Sequence, residues 1–271
     1  YADALADPDI DGIVLTTPDR LHPEHVIQAV RAGKPVLVEK PFALERAAAQ
    51  AAADAARDAG VVLAFAHNRR FLPAVREIER LLASGALGRV LHVEGNFSSS
   101  YGLRIKPGMW RADAGQTVAG GMTGMGIHQI DLMIHLAGSI TGVQSKARRQ
   151  VVEVDIEDNH TMLLDFASGA TGSFTTLMTT SPMWRFRILG SKGWAEMIGE
   201  TRLLVCEGSN PVHEIHFAPV STERLELEAF AEAIGGGAAY PVSADEALNG
   251  VSVLEAVVES ARHDGRIQSV G

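Results

Sequence analysis

The sequence predicts two kinds of structure in series: a short doubly wound α/β unit, then an open, mainly antiparallel sheet with helices on one face. Three observations carry that prediction. Between Gly12 and Phe65, short apolar runs alternate with helical stretches, as in parallel strands joined by crossover helices. From Gly88 onward, runs of period two follow one another through Gly and Ser turns, the pattern of antiparallel neighbours. Polar residues gather where the early runs end, and doubly wound sheets bind ligands at that edge.

Composition narrows the classes of function. The chain has 271 residues, enough for two domains, and its 46% hydrophobic and 21% charged content suits an ordinary core-former. A net charge of −9 argues against nucleic acid as a partner, because phosphate binding needs a basic surface. No run approaches the ~18 apolar residues of a membrane span, and no basic-then-apolar leader is visible. Cys206 is the only cysteine, so no internal disulfide forms, which suits a reducing, cytoplasmic setting. His128 and His135, seven apart, do not make a metal motif, and His213 and His216 fall on opposite faces of a strand. No metal is expected.

In order, Tyr1 to Asp9 reads as a helix end closed by Asp7-Pro8-Asp9. Gly12 to Leu15 is a short buried strand that ends in Thr16-Thr17-Pro18. Pro23 to Ala32 is a helix, with Pro23 in the first turn and Gly33 as its stop. Pro35-Val-Leu-Val38 is the next strand and delivers Glu39, Lys40 and Pro41 at its end. An alanine-rich helix from Leu44 to Ala59, stopped by Gly60, leads to the strand Val61 to Phe65. His67-Asn68-Arg69-Arg70-Phe71 then opens an amphipathic helix, Pro73 to Ala83, with Val75, Ile78, Leu81 and Leu82 inward.

Gly88 to Ser100 begins the period-two pattern, and the glycine-rich stretch Ser98 to Ala119, with Trp110-Arg111, reads as a loop over the crevice. A glycine-rich turn, Gly120-Gly-Met-Thr-Gly-Met-Gly126, enters the helix that carries His128 and Asp131. Strands are expected over 141–154, 159–166, 170–179, 185–189, 194–198, 203–206 and 212–217, and final helices over 223–234 and 244–263.

Several of these stretches are similar to motifs of the Gfo/Idh/MocA oxidoreductases, in the same order and on the same elements. Thr17-Pro18-Asp19-Arg20-Leu21-His22 matches T-P-x-x-x-H, and Glu39-Lys40-Pro41 matches the Glu-Lys-Pro signature. Asn68-Arg69-Arg70-Phe71 resembles the family's N-R-R-F/Y loop, and Gly126, His128 and Asp131 stand where the family writes D-x-G-x-H-x-x-D. The first acid of that pattern falls on Gly124, which has no side chain.

The resemblance implies a partial Rossmann-type unit over residues 1–70 and a substrate-binding and oligomerisation domain over 71–271. It implies NAD or NADP as cofactor, touched by Thr17, Pro18, His22, Glu39, Lys40 and Pro41, with the choice between the two open. Lys40 and His128 would be catalytic, and Trp110, Arg111 and Asn68 would meet the substrate. Pro41 would follow a cis peptide. The reaction would be hydride transfer between nicotinamide and a carbinol of a sugar, cyclic polyol or related small molecule. The partners expected are that substrate and further copies of the chain through the open sheet face. Because no G-x-G-x-x-G follows a strand before Thr17, roughly two βα units, on the order of 50 residues, are expected ahead of Tyr1. Gly124 keeps a second reading open, a regulatory protein that senses nucleotide on the same fold without catalysis.

Overall fold

The computed structural model describes residues 1–271. After α1 (Ala2–Ala6) come β1 (Ile13–Leu15), α2 (His22–Arg31), β2 (Val36–Val38), α3 (Arg46–Ala59) and β3 (Leu63–Phe65), which form a parallel sheet in the order β1-β2-β3. Every residue of β2 is at most 2% exposed, because alternate side chains meet different layers. Val36 and Val38 pack with Val26, Ala29 and Ala52 of α2 and α3. Leu37 points the other way, toward Phe230.

α4 (Pro73–Ala83) leads into β4 (Val90–Ser98), and α5 (Ile127–Ala137) follows the crevice loop. Then come β5 (Ile140–Arg148), β6 (Asn159–Phe166), β7 (Thr171–Leu177), β8 (Met183–Gly190), β9 (Gly193–Ile198), β10 (Arg202–Glu207) and β11 (His213–His216). The chain closes with α6 (Thr222–Ile234), α7 (Ala244–Arg262) and β12 (Gln268–Ser269). The second sheet has nine strands, in the order β11-β10-β9-β8-β4-β7-β6-β5-β12. All its pairs are antiparallel except β4 with β7. Along β6 and β7 buried and solvent-facing residues alternate, with Met162, Leu164 and Phe174 facing α4, α5 and α7. The opposite face carries the register row Leu163, Ser173, Glu94, Arg187, Glu196, in which Arg187 pairs with Glu94 and Glu196.

Two features depart from the sequence reading. The strand expected over 141–154 stops at Arg148, and the chain wraps the buried Asp158, whose carboxylate accepts the N–H groups of Gln150, Val151 and Val152 at 2.7–3.2 Å. The last two helices also reach back over the first sheet. Phe230 of α6 packs on Leu37 and Ala64, and its ring leaves 3.3 Å for a Cβ at Gly12, so a larger residue there would press on it. Ala247, Leu248 and Val251 of α7 join the core of the parallel sheet, whereas Val253, Leu254 and Val257 join that of the large sheet. One helix therefore anchors both units. Glu255 of α7 strengthens the link by accepting the first free N–H of α3, at Arg46, at 2.8 Å.

Candidate active site

Both strands that were read as cofactor edges end at the same place. His22, fully buried, holds them together: its Nδ1 lies 2.9 Å from the Pro41 carbonyl and its Nε2 2.8 Å from the Thr17 carbonyl. With both nitrogens spent on backbone, His22 braces the strand ends and presents nothing outward. The Lys40–Pro41 peptide is cis. The Lys40 N–H donates to its neighbour's carboxylate, Glu39 Oε2, at 3.0 Å.

Beyond these ends lies a cleft of about 610 Å3. Thr16, Thr17, Pro18, Asp19, Glu39 and Lys40 form one wall, and Tyr101, Trp110, Arg111, Gly120, Gly121 and Gly124 are on the other. Neither His22, Pro41, Asn68 nor His128 is in the lining. Gly120 explains why the far wall is glycine: its φ is +47°, and a Cβ would fall 1.9 Å from the Glu157 carbonyl oxygen. A larger groove, about 830 Å3, runs between α3 and the end of α7 but contains neither Glu39 nor Lys40.

Lys40 reaches across the cleft, and its Nζ donates to the Gly124 carbonyl at 2.8 Å. Burial pushes its ammonium below the ordinary lysine range, Arg111 and Arg69 push the same way, and Glu39 and Asp19 oppose them. Arg111 is stacked 4.0 Å over the Trp110 ring and 5.8 Å from that of Tyr101. His128 stands one helical turn past Gly124, its ring 6.2 Å from that of Phe97 and its Nδ1 without a partner. Desolvation, then Lys40, Arg69 and His67, hold its pKa well below the ordinary histidine value, so the ring is neutral near pH 7. Asn68 faces away from the cleft contacts, donating to Thr222 and Glu223 of α6 at 3.1 and 3.0 Å.

Asp131 belongs to a separate cluster. Its carboxylate takes Arg70 through Nε and Nη2 at 2.7–3.1 Å, and Arg70 Nη1 reaches Glu246 at 3.0 Å and the Pro241 carbonyl at 3.2 Å. His135 joins this cluster between Arg70, Glu79 and Glu246.

Two carboxyl groups near the site were not singled out from the sequence. Asp19 follows Pro18 inside the T-P-x-x-x-H stretch, and its place in that turn was the available signal. Glu226, 6% exposed on α6, has Tyr240 as its bonded neighbour, with the phenol oxygen 3.3 Å from Glu226 Oε1 and 3.1 Å from the Phe65 carbonyl. The phenol has one proton and both neighbours accept it, the Phe65 carbonyl or Glu226 Oε1. Burial pushes the Glu226 carboxyl up to about 8, and Glu39 adds to the rise.

The donor set fits the nicotinamide end of a dinucleotide. Glu39 offers an acceptor for ribose or carboxamide groups, Lys40 a donor, and Pro18 with the Gly120–Gly121 wall leaves room for a flat ring.

Comparison with known proteins bears on the same residues. Residues 1–67 match the model described as "Oxidoreductase family, NAD-binding Rossmann fold". Residues 75–196 match the GFO/IDH/MocA C-terminal domain. The chain is 26% identical to a scyllo-inositol 2-dehydrogenase (NADP(+)) of Bacillus subtilis, over 94% of this chain and 78% of that protein. It is 28% identical to the scyllo-inositol 2-dehydrogenase (NAD(+)) of the same organism, over 98% and 80%. Among solved structures, levoglucosan dehydrogenase in complex with NADH and levoglucosan superposes with a TM-score of 0.92 at 25% identity, over 99% of this chain and 82% of that one.

Proposed function

The chain belongs to the Gfo/Idh/MocA oxidoreductases, and on that premise we propose that it oxidises a carbinol of a sugar, cyclic polyol or related small molecule with NAD or NADP as hydride acceptor. The observation that carries this reading is the cleft at the carboxyl ends of β1 and β2, where the Lys40 ammonium, without a carboxylate in ion-pair contact, faces Trp110 and Arg111. Thr17, Pro18, Glu39, Lys40 and Pro41 hold the cofactor edge, and His22 keeps the two strand ends in register.

When bound, the nicotinamide supplies the carbon that takes the hydride. Lys40 Nζ donates to the reacting oxygen and steadies the negative charge that grows there. His128, kept neutral one helical turn past Gly124, would take the hydroxyl proton at Nδ1 once its ring turns toward the cleft, because that nitrogen is buried, unpartnered and outside the lining. Trp110 and Arg111 orient the ring from the opposite wall, while Asn68 secures its loop to α6. Residues 1–70 serve the nucleotide, and residues 71–271 serve the substrate and self-association. Leu163, 57% exposed in the middle of the open sheet face, is the apolar point on which copies would meet; sedimentation as a monomer would remove that part. The unpaired Cys206 suits a cytoplasmic setting.

The test is a fluorescence titration with NADH and NADPH, followed by turnover on a panel of inositols and sugars. Lys40→Met should keep nucleotide binding while turnover falls roughly 10²–10³-fold, the usual loss for one transition-state donor. Native protein that binds neither nucleotide, or an equally active variant, would overturn the assignment.

A further inference from the structure

One carboxylate in the cleft has no protein partner. Asp19 sits in the short turn Asp19–Leu21 that follows Pro18, half-buried and in the same lining as Lys40, Arg111 and Gly124. No other residue hydrogen-bonds to its side chain, and no cation lies within ion-pair distance. Glu39, the other acid of that wall, already accepts the Lys40 N–H. Burial pushes its carboxyl above the ordinary aspartate range, and the charges of His22, Lys40 and Arg111 oppose the rise.

The space around this carboxylate is equally telling. A Cβ built at Gly124, in the facing wall, meets nothing within 4 Å. The cleft therefore holds an acceptor, two cations and open room, with nothing from the chain satisfying the acceptor. An ionised carboxylate only accepts hydrogen bonds, and the Asp19 oxygens open on the cleft, where a ligand's donors can replace the water that reaches them. A cation-lined cleft with one free carboxylate matches a ligand that carries several neighbouring hydroxyl groups: each can donate to Asp19 while its oxygen accepts from Lys40 or Arg111.

We propose that Asp19 binds the hydroxyl adjacent to the reacting carbinol, so that the cleft selects vicinal diols over mono-alcohols. This rests on the polyol-oxidising reading above and deepens it. Asp19 contacts substrate without taking part in the hydride or proton transfer, so its removal should weaken binding more than it slows the bound complex. A site built around a substrate hydroxyl discriminates strongly against the analogue lacking it, because the site's own polar group is left unpaired.

The experiment is calorimetric titration, which reads binding without turnover. Levoglucosan, its three monodeoxy forms and scyllo-inositol are titrated in the presence of NADH into native protein, Asp19→Asn, and Asp19→Asn with Gly124→Asp. For native protein, one monodeoxy form should bind roughly 10- to 100-fold more weakly than levoglucosan, the range for a hydrogen bond to a charged group. Asp19→Asn should weaken levoglucosan by a similar factor and bind that monodeoxy form no worse than levoglucosan. The double variant places a carboxylate in the open space at Gly124 and should regain part of the loss. Melting temperatures check that all three proteins are folded. If levoglucosan or scyllo-inositol binds native protein and Asp19→Asn binds it equally well, or keeps the monodeoxy discrimination, the assignment to Asp19 is wrong and the polyol reading stands. If neither polyol binds native protein, the polyol reading falls and Asp19 falls with it.

Discussion

Two clusters of cations, carboxylates and histidine lie close together in this molecule, and they differ in one respect. Around Arg70 the charges are answered: Asp131 takes two of its nitrogens, and Glu246 and the Pro241 carbonyl take the third. Around Lys40 little is answered: the ammonium has one backbone carbonyl, Arg111 has two aromatic faces, and Asp19 has no partner residue. Composition does not separate the two clusters. Pairing does. A partly buried charge without a fixed partner is left for water or a ligand to complete, whereas a fully bonded cluster is already complete and joins elements.

Removing one partner from each cluster puts that contrast under the greatest strain. Asp131→Asn leaves Arg70, 1% exposed, short of its main counter-charge. Loss of one member of a buried pair costs about 3–5 kcal/mol, and urea unfolding should show it. Nucleotide binding by the folded fraction should persist. Lys40→Met should do the reverse, leaving the fold at least as stable as before, because it removes a desolvated charge held by a single carbonyl. Equal stability losses in the two variants would erase the distinction between them.

A smaller effect sharpens the comparison from a third position. Glu226 lies between the two clusters, near Glu39 on one side and influenced by Asp131 on the other. Its carboxyl is raised to about 8 in the folded chain, against about 4.3 when exposed. Between these values the folded state holds a proton that the unfolded state has lost, so stability is highest below the lower value and falls as pH rises through 8. The loss is on the order of 5 kcal/mol. Glu226→Gln keeps a neutral side chain whose oxygen can accept from Tyr240 and should flatten this decline, melting higher than native protein at pH 9 and close to it at pH 5. A parallel pH dependence in both proteins would show that Glu226 is ionised throughout.

Much of this was legible in the chain itself, for identifiable reasons. A parallel strand covered on both faces leaves a continuous apolar run, and Val36-Leu37-Val38 is one. The residues after it must then face the crevice, so Glu39 and Lys40 could be located by counting. The period-two pattern likewise announced β6 and β7. Amphipathic pattern, however, shows which face of a helix is buried and not what covers it. Hence Phe230 and Leu248 gave no hint that α6 and α7 pack on the first sheet. The parallel pairing of β4 with β7 was hidden for a similar reason, since alternation is the same for either direction. Asp19 and Glu226 were missed because a lone carboxylate is ordinary in sequence. Only the partners it has, or lacks, set it apart.

The smallest effect falls at the rim of the cleft. Trp110 is 48% exposed, and its ring lies 4.0 Å under the Arg111 guanidinium. A cation over an aromatic face at an exposed site is worth about 0.5–1 kcal/mol, so the stack adds little to stability. Its consequence is directional: the Trp110 ring holds Arg111, otherwise free of carboxylates, in the wall that faces Lys40. Trp110→Ala should lower the melting temperature by only about 1–4 °C, given the small stability term and a chain of this size. Freed from the ring, Arg111 samples more rotamers and has to be ordered again on binding, a cost of about 0.5–1.5 kcal/mol. KM for a polyol should therefore rise roughly 2- to 10-fold with kcat nearly unchanged. Trp110→Phe, which keeps an aromatic face, should recover most of that rise. A fall in kcat with unchanged KM would instead place Trp110 against the reacting atoms, and the unpaired groups of the cleft would then extend to its rim.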